Sequence, residues 1–95
     1  MAQHYSAKFL RHLRNDISID EVIADLLNLE LKTGCEMIRF RCPICYNFHT
    51  ATNQKTNLAR CFDCKKNFNP IDMVITVVNC SFVDAVKILK DAFES

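Results

Sequence analysis

With 95 residues, 49% of them hydrophobic and 24% charged, the chain has apolar material for one small folded domain, which excludes the disordered class. Its net charge of +1 excludes the strongly basic balance of a dedicated duplex-DNA binder, so any nucleic-acid contact has to come from a local patch. No apolar run approaches the roughly 18 to 20 residues of a membrane span and no signal-peptide pattern opens the chain, which predicts a cytoplasmic protein whose six cysteines stay reduced.

Residues 5–14 (YSAKFLRHLR) read as a short helix ended by Asn15 and Asp16. Ser18 and Glu21 then form the S-x-x-E capping pattern. Behind it Ile19, Val22, Ile23, Leu26 and Leu27 fall on one face of a helix over 19–28. At Leu29–Lys32 the period switches to two, predicting a short strand, and Thr33-Gly34 turns the chain. Ile38, Phe40 and Cys42 alternate with Arg39 and Arg41, the pattern of a half-buried strand with both arginines on one face. Phe48–Thr52 and Leu58–Phe62 suit an antiparallel hairpin with Asn53–Asn57 as its tip. Asn69 is a good N-cap with Pro70 at the first helical position, and Ile71, Val74, Ile75 and Val78 make the buried face of the helix that follows. Ser81 and Asp84 repeat the cap, and Phe82, Ala85, Val86, Leu89 and Phe93 form the inner face of a last helix. The fold class expected is α+β.

Cys42 and Cys45 are two residues apart, as are Cys61 and Cys64, with fifteen residues between the pairs. Two intervening residues let a tight turn aim both sulfurs at one point, about 2.3 Å from a zinc ion. A hairpin of the intervening length brings the second turn opposite the first. The spacing therefore predicts a tetrahedral four-cysteine site for one structural Zn²⁺ in a zinc ribbon. Iron suits the same four-sulfur cage, whereas a redox CxxC needs no second copy. With four protein ligands there is no open position for water or substrate. Cys35 and Cys80 read as small buried hydrophobes. Four thiolates add four negative charges and a zinc ion two positive, which would take the net charge from +1 to −1.

No catalytic group accompanies the cysteines. His4, His12 and His49 are scattered, and Asp20, Glu21, Asp25 and Glu30 follow a helix surface. The chain is expected to be no enzyme on its own. Around the cysteines lie Arg39, Arg41, Lys55, Arg60, Lys65 and Lys66, with Phe40, Tyr46, Phe48, Phe62 and Phe68 interleaved; between Glu36 and Asp72 the one acidic residue is Asp63. Cations that track phosphates beside rings that stack on bases mark single-strand binders. The nucleic-acid contacts expected are Arg39, Arg41, Phe48, His49, Arg60, Phe62, Lys65 and Lys66. The competing reading is that these cations offset the charge of the metal site or dock a protein.

The order of these elements resembles the N-terminal zinc-binding domain of bacterial replicative DNA primases over nearly the whole chain. FLRHLRNDISIDEVI is similar to that family's opening helices, LNLELKTG to its strand and turn, FRCPIC and RCFDC to its two zinc knuckles, and NPIDMVITVVNCSFVDAVKIL to its closing helices. Three features depart from the family. Cys45 stands where histidine is usual, YNFHTAT replaces a Lys-Thr-Pro-Ser-Phe stretch, and Lys65 replaces a glycine whose left-handed role would pass to Asn67. The resemblance implies one domain over 1–95: a helical part at 1–34, the zinc ribbon at 35–69 and a C-terminal helix pair at 70–95. It implies contact with a single-stranded DNA template in support of primer synthesis, the polymerase chemistry sitting in another domain. The alternatives are a docking or regulatory module for a primase catalytic core, a helicase or an RNA polymerase, and a fragment of a complete primase.

Overall fold

Among the described residues, each α-helix starts at a side-chain cap. In the computed structural model, which describes residues 5–32 and 39–93, Ser6 accepts from the Phe9 amide (3.0 Å), Ser18 from Glu21 (3.5 Å), Asn69 from Asp72 (2.8 Å) and Ser81 from Asp84 (3.1 Å). These caps begin α1 (Ala7–Asn15), α2 (Ile19–Glu21), α3 (Pro70–Val74) and α4 (Phe82–Phe93). Helix α2 widens into a π-helical turn over Val22–Leu26, and α3 does so over Ile75–Asn79.

The widened turns correct two expectations. The second helix ends at Leu26 rather than running to residue 28, and Asn28 leaves it with a φ of 51°. After α3 the extra residue per turn breaks the 3.6 period. Val78, expected inside, is therefore 47% exposed, and the buried residues are Ile71, Met73 and Val74, which precede the widened turn. Phe82 is exposed too, because as the first residue of α4 it lies ahead of the face formed by Ala85, Val86 and Leu89.

The strands form two antiparallel sheets. The first pairs β1 (Leu31–Lys32) with β2 (Arg39–Phe40), Lys32 opposite Arg39. The expected Thr33-Gly34 turn, Cys35, Ile38 and His4 lie outside the described residues. The second sheet has the order β3 (Thr50–Asn53), β4 (Leu58–Cys61), β5 (Lys66–Phe68). Its hairpin is the expected one with trimmed ends: Phe48 and Phe62 fall outside the strands. The third strand has no counterpart in the sequence reading. Three residues are too few to show a period, and the Lys65-Lys66 pair at its start looks like a solvated loop. Asn67 is consequently a strand residue, and Lys65 itself takes the left-handed conformation, with a φ of 58°.

Register places the side chains in rows. Thr50, Cys61 and Lys66 share one face, as do Thr52, Ala59 and Phe68; Ala51, Arg60 and Asn67 share the other. Thr50 also stitches the two sheets. Its hydroxyl accepts from the Phe40 amide (2.8 Å) and donates to the Phe40 carbonyl (2.6 Å). The inner face packs on helices through one core that includes Leu13, Ile19, Ile23, Phe40, Ala59, Phe68, Val74 and Leu89. The hairpin tip is held at a distance in sequence. The amide of Asn57, at a φ of 56°, accepts from Ile19 N–H (2.8 Å) and donates to the Arg14 and Ile17 carbonyls (2.6 Å each). Among the described residues no helix is long and apolar enough to cross a membrane.

Candidate metal centre and ribbon surface

Both cysteine pairs lie in turns of the same design. In the first, Tyr46 N–H donates to the Cys42 carbonyl (2.9 Å), and Tyr46 is left-handed at φ 65°. In the second, Lys65 follows Cys64 with the same backbone sign. Each turn directs an amide at its first sulfur: Ile44 N–H donates to Cys42 Sγ and Cys64 N–H to Cys61 Sγ, both at 3.4 Å. Cys42 lies just past β2 and Cys61 ends β4, so the two sheets carry the two knuckles to one place.

There the four sulfurs lie within 4.8 Å of one another. Cys42 to Cys64 is 3.8 Å and Cys45 to Cys61 is 3.6 Å. A tetrahedron with Zn–S bonds of about 2.3 Å has edges of about 3.8 Å. The thiols are free and too far apart for S–S bonds. They therefore fit one zinc ion, with Cys42 and Cys61 buried and Cys45 and Cys64 half-buried. The ion would act as a clamp between the knuckles, since all four positions are filled by protein.

Without a cation the cluster resists full ionisation. Burial, then the neighbouring thiols, push Cys64 up to about 12. Burial also raises Cys42, whereas the Asn47 amide lowers Cys45. The bound form needs thiolates, so loading displaces protons, and a falling pH favours the protonated, metal-free form. We expect zinc addition in weak buffer near neutral pH to acidify the solution, and acidification to release the metal. Zinc uptake without proton release, measured with a pH indicator, would contradict this.

The residues expected to touch nucleic acid divide into two groups. In the first, Arg41 is committed within the protein. Its Nε and Nη2 each hold Glu30 at 2.7 Å, Nη1 donates to the Tyr46 carbonyl at 2.9 Å, and the guanidinium lies 4.6 Å from the Phe48 ring centre. Lys32 Nζ lies 4.4 Å from the same centre, so half-buried Phe48 already has two cations on its ring. Arg39 is exposed beside them. The second group surrounds the outer face of β3–β4–β5. Phe62 is 44% exposed, with the Arg60 guanidinium 5.5 Å and the His49 ring 5.3 Å from its centre. Arg60 donates to Asn67 Oδ1 (3.1 Å), and His49 Nδ1 pairs with Asp63 (3.1 Å). A groove of about 700 Å³ runs from Phe62, Arg60 and Asn67 to Asn53, Gln54 and Lys55 at the hairpin tip. Lys65 and Lys66 are exposed at the second knuckle.

Sequence reasoning did not find Lys32, nor the amides of Asn53, Gln54 and Asn67. Only the third strand puts Asn67 on the outer face beside Arg60, and Asn53 and Gln54 reach the groove from the hairpin tip. Cys80, expected buried, is half-buried at the edge of the core and distant in the chain from the four ligands.

Residues 5–95 match the family described as the CHC2 zinc finger, the DnaG zinc ribbon. No curated protein matches the chain.

Proposed function

We propose that this chain, which belongs to the CHC2 zinc finger family, binds a single DNA strand on the outer face of β3–β4–β5 in support of primer synthesis, without carrying the polymerase chemistry. The observation that carries this reading is Phe62, a large ring 44% exposed at the end of a groove containing Arg60 and Lys55. Exposed rings stack on bases irrespective of sequence, and guanidinium or ammonium groups beside them meet phosphate. Arg39 and Lys65 would extend the positive track. Arg41 and Phe48 serve it indirectly, since their contacts are spent on one another, Glu30 and the first knuckle.

Phe62→Ala in the zinc-loaded protein should weaken binding to a labelled oligonucleotide by about tenfold or more, the loss of one stacked base. Arg60→Ala should weaken it and flatten the salt dependence by about 0.7 in slope, one phosphate contact on a single strand. Lys87→Ala, exposed on α4, should change neither. Wild-type affinity in both ribbon variants would sink the assignment of this face. A primase catalytic core is the partner this reading implies. Its failure to co-purify with the zinc-loaded chain, nuclease present, would remove that part.

A further inference from the structure

Lys66 stands in the row Thr50–Cys61–Lys66, directly across the β4–β5 ladder from a zinc ligand. Residues so placed project from the same face of a sheet. We infer that Lys66 is a partner of the metal site, its ammonium offsetting the charge of the four-thiolate cage at Cys61, rather than a contact for phosphate.

Three observations support this. A zinc ion with four thiolates carries a net charge of −2. Of the cations next to the knuckles, Arg41 is held by Glu30 and the Tyr46 carbonyl, and Arg60 points to the opposite face with Asn67 and Phe62. Arg60 therefore lies on the face away from the Cys61 sulfur. Lys65 occupies the left-handed position of the turn, outside the ladder. Lys66 is thus the one cation that the register aligns with a ligand, among the described residues. Alternation along β5 makes the same distinction: Lys66 and buried Phe68 share the inner face, and Asn67 takes the outer one. A positive charge on the ligand's side of the sheet offsets part of the cage's negative charge and makes the sulfur a poorer target for electrophiles. Groups around metal ligands commonly tune affinity in this way.

The inference rests on the thiolate site and not on nucleic-acid binding, and its test separates the two. Lys66→Met, which keeps the stem and removes the charge, is compared with Lys66→Arg and Lys65→Met in the zinc-loaded protein. Zinc transfer to a chromogenic chelator and alkylation of the thiols are followed, and oligonucleotide binding is measured in parallel. Lys66→Met should lose zinc about tenfold more readily and alkylate faster, at the low end of what an outer partner of a metal ligand contributes. Lys66→Arg should restore both, and Lys65→Met should match wild type in zinc transfer and alkylation while weakening oligonucleotide binding by the loss of one phosphate contact. Unchanged zinc transfer in Lys66→Met would overturn the inference. So would an equal effect of Lys65→Met, or a loss confined to oligonucleotide affinity and its salt slope.

Discussion

Stripping the metal with a chelator at neutral pH is expected to unfold the ribbon and open the core with it. Zinc bound to such thiolate sites supplies on the order of 10 kcal/mol of apparent binding energy, comparable with the whole stability of a small domain. Here the clamp lies close to the core. Cys42 follows Phe40, and Cys61 follows Ala59 by two residues, both core residues fully buried. Phe68 ends the strand that begins opposite Cys61. When the knuckles part, those three core residues lose the strands that hold them. Cys61→Ser should give the same loss without chelator, whereas Cys80→Ser should leave metal content unchanged. Hydrogen exchange of the β4 amides checks this. Protection that survives chelation would show that the apolar core alone sustains the fold.

The second large effect is expected at Asn57. Its amide closes three hydrogen bonds to the α1–α2 connection, and its backbone is left-handed. Asn57→Ala leaves the Ile19 amide and two carbonyls without this partner and removes the short polar side chain that makes asparagine tolerant of a positive φ. Unmet buried groups cost about 1–3 kcal/mol each, and the left-handed backbone about 1–2 kcal/mol. Partial rescue by water makes about 3 kcal/mol the expected net loss, or a fall in melting temperature of about 15 °C in a domain of this size. Asn57→Gly, which relieves the backbone alone, should lose about 1 kcal/mol less. Thermal melts of the zinc-loaded variants decide it. A melting temperature within a few degrees of wild type for Asn57→Ala would mean that the tip docks by other means.

This clip also shows where a single sequence becomes hard to read. Three of the four caps, the α+β class and the metal cluster follow local rules, so Ser18, Asn69, Ser81 and the two CxxC turns announce themselves within a few residues. Asn57 touches partners 38 to 43 positions away, and no local pattern encodes that. The widened turns after α2 and α3 are likewise invisible to a 3.6-residue count, which is why Val78 is expected inside and lies outside. The basic residues show a third limit. Arg41 and Arg60 look alike in sequence, each just before a knuckle, yet one braces Glu30 and the other faces an open groove. Composition locates the charge on the ribbon, and strand register decides what each charge faces.

The substitution of Cys45 for histidine fits the same picture. It completes a four-thiolate cage whose sulfurs already stand at tetrahedral spacing. The ribbon so held presents Phe62 and Arg60 outward and Cys61 inward from neighbouring positions of one strand and its turn. Clamping the knuckles therefore also holds the face on which we propose that bases stack. The most direct test is a fluorescence-anisotropy titration of a labelled single-stranded oligonucleotide, at low salt, with zinc-loaded and chelated protein. Salt-sensitive binding by the loaded form, lost on chelation, is the expected result. No binding by the loaded form, or equal binding after the metal is removed, would contradict it.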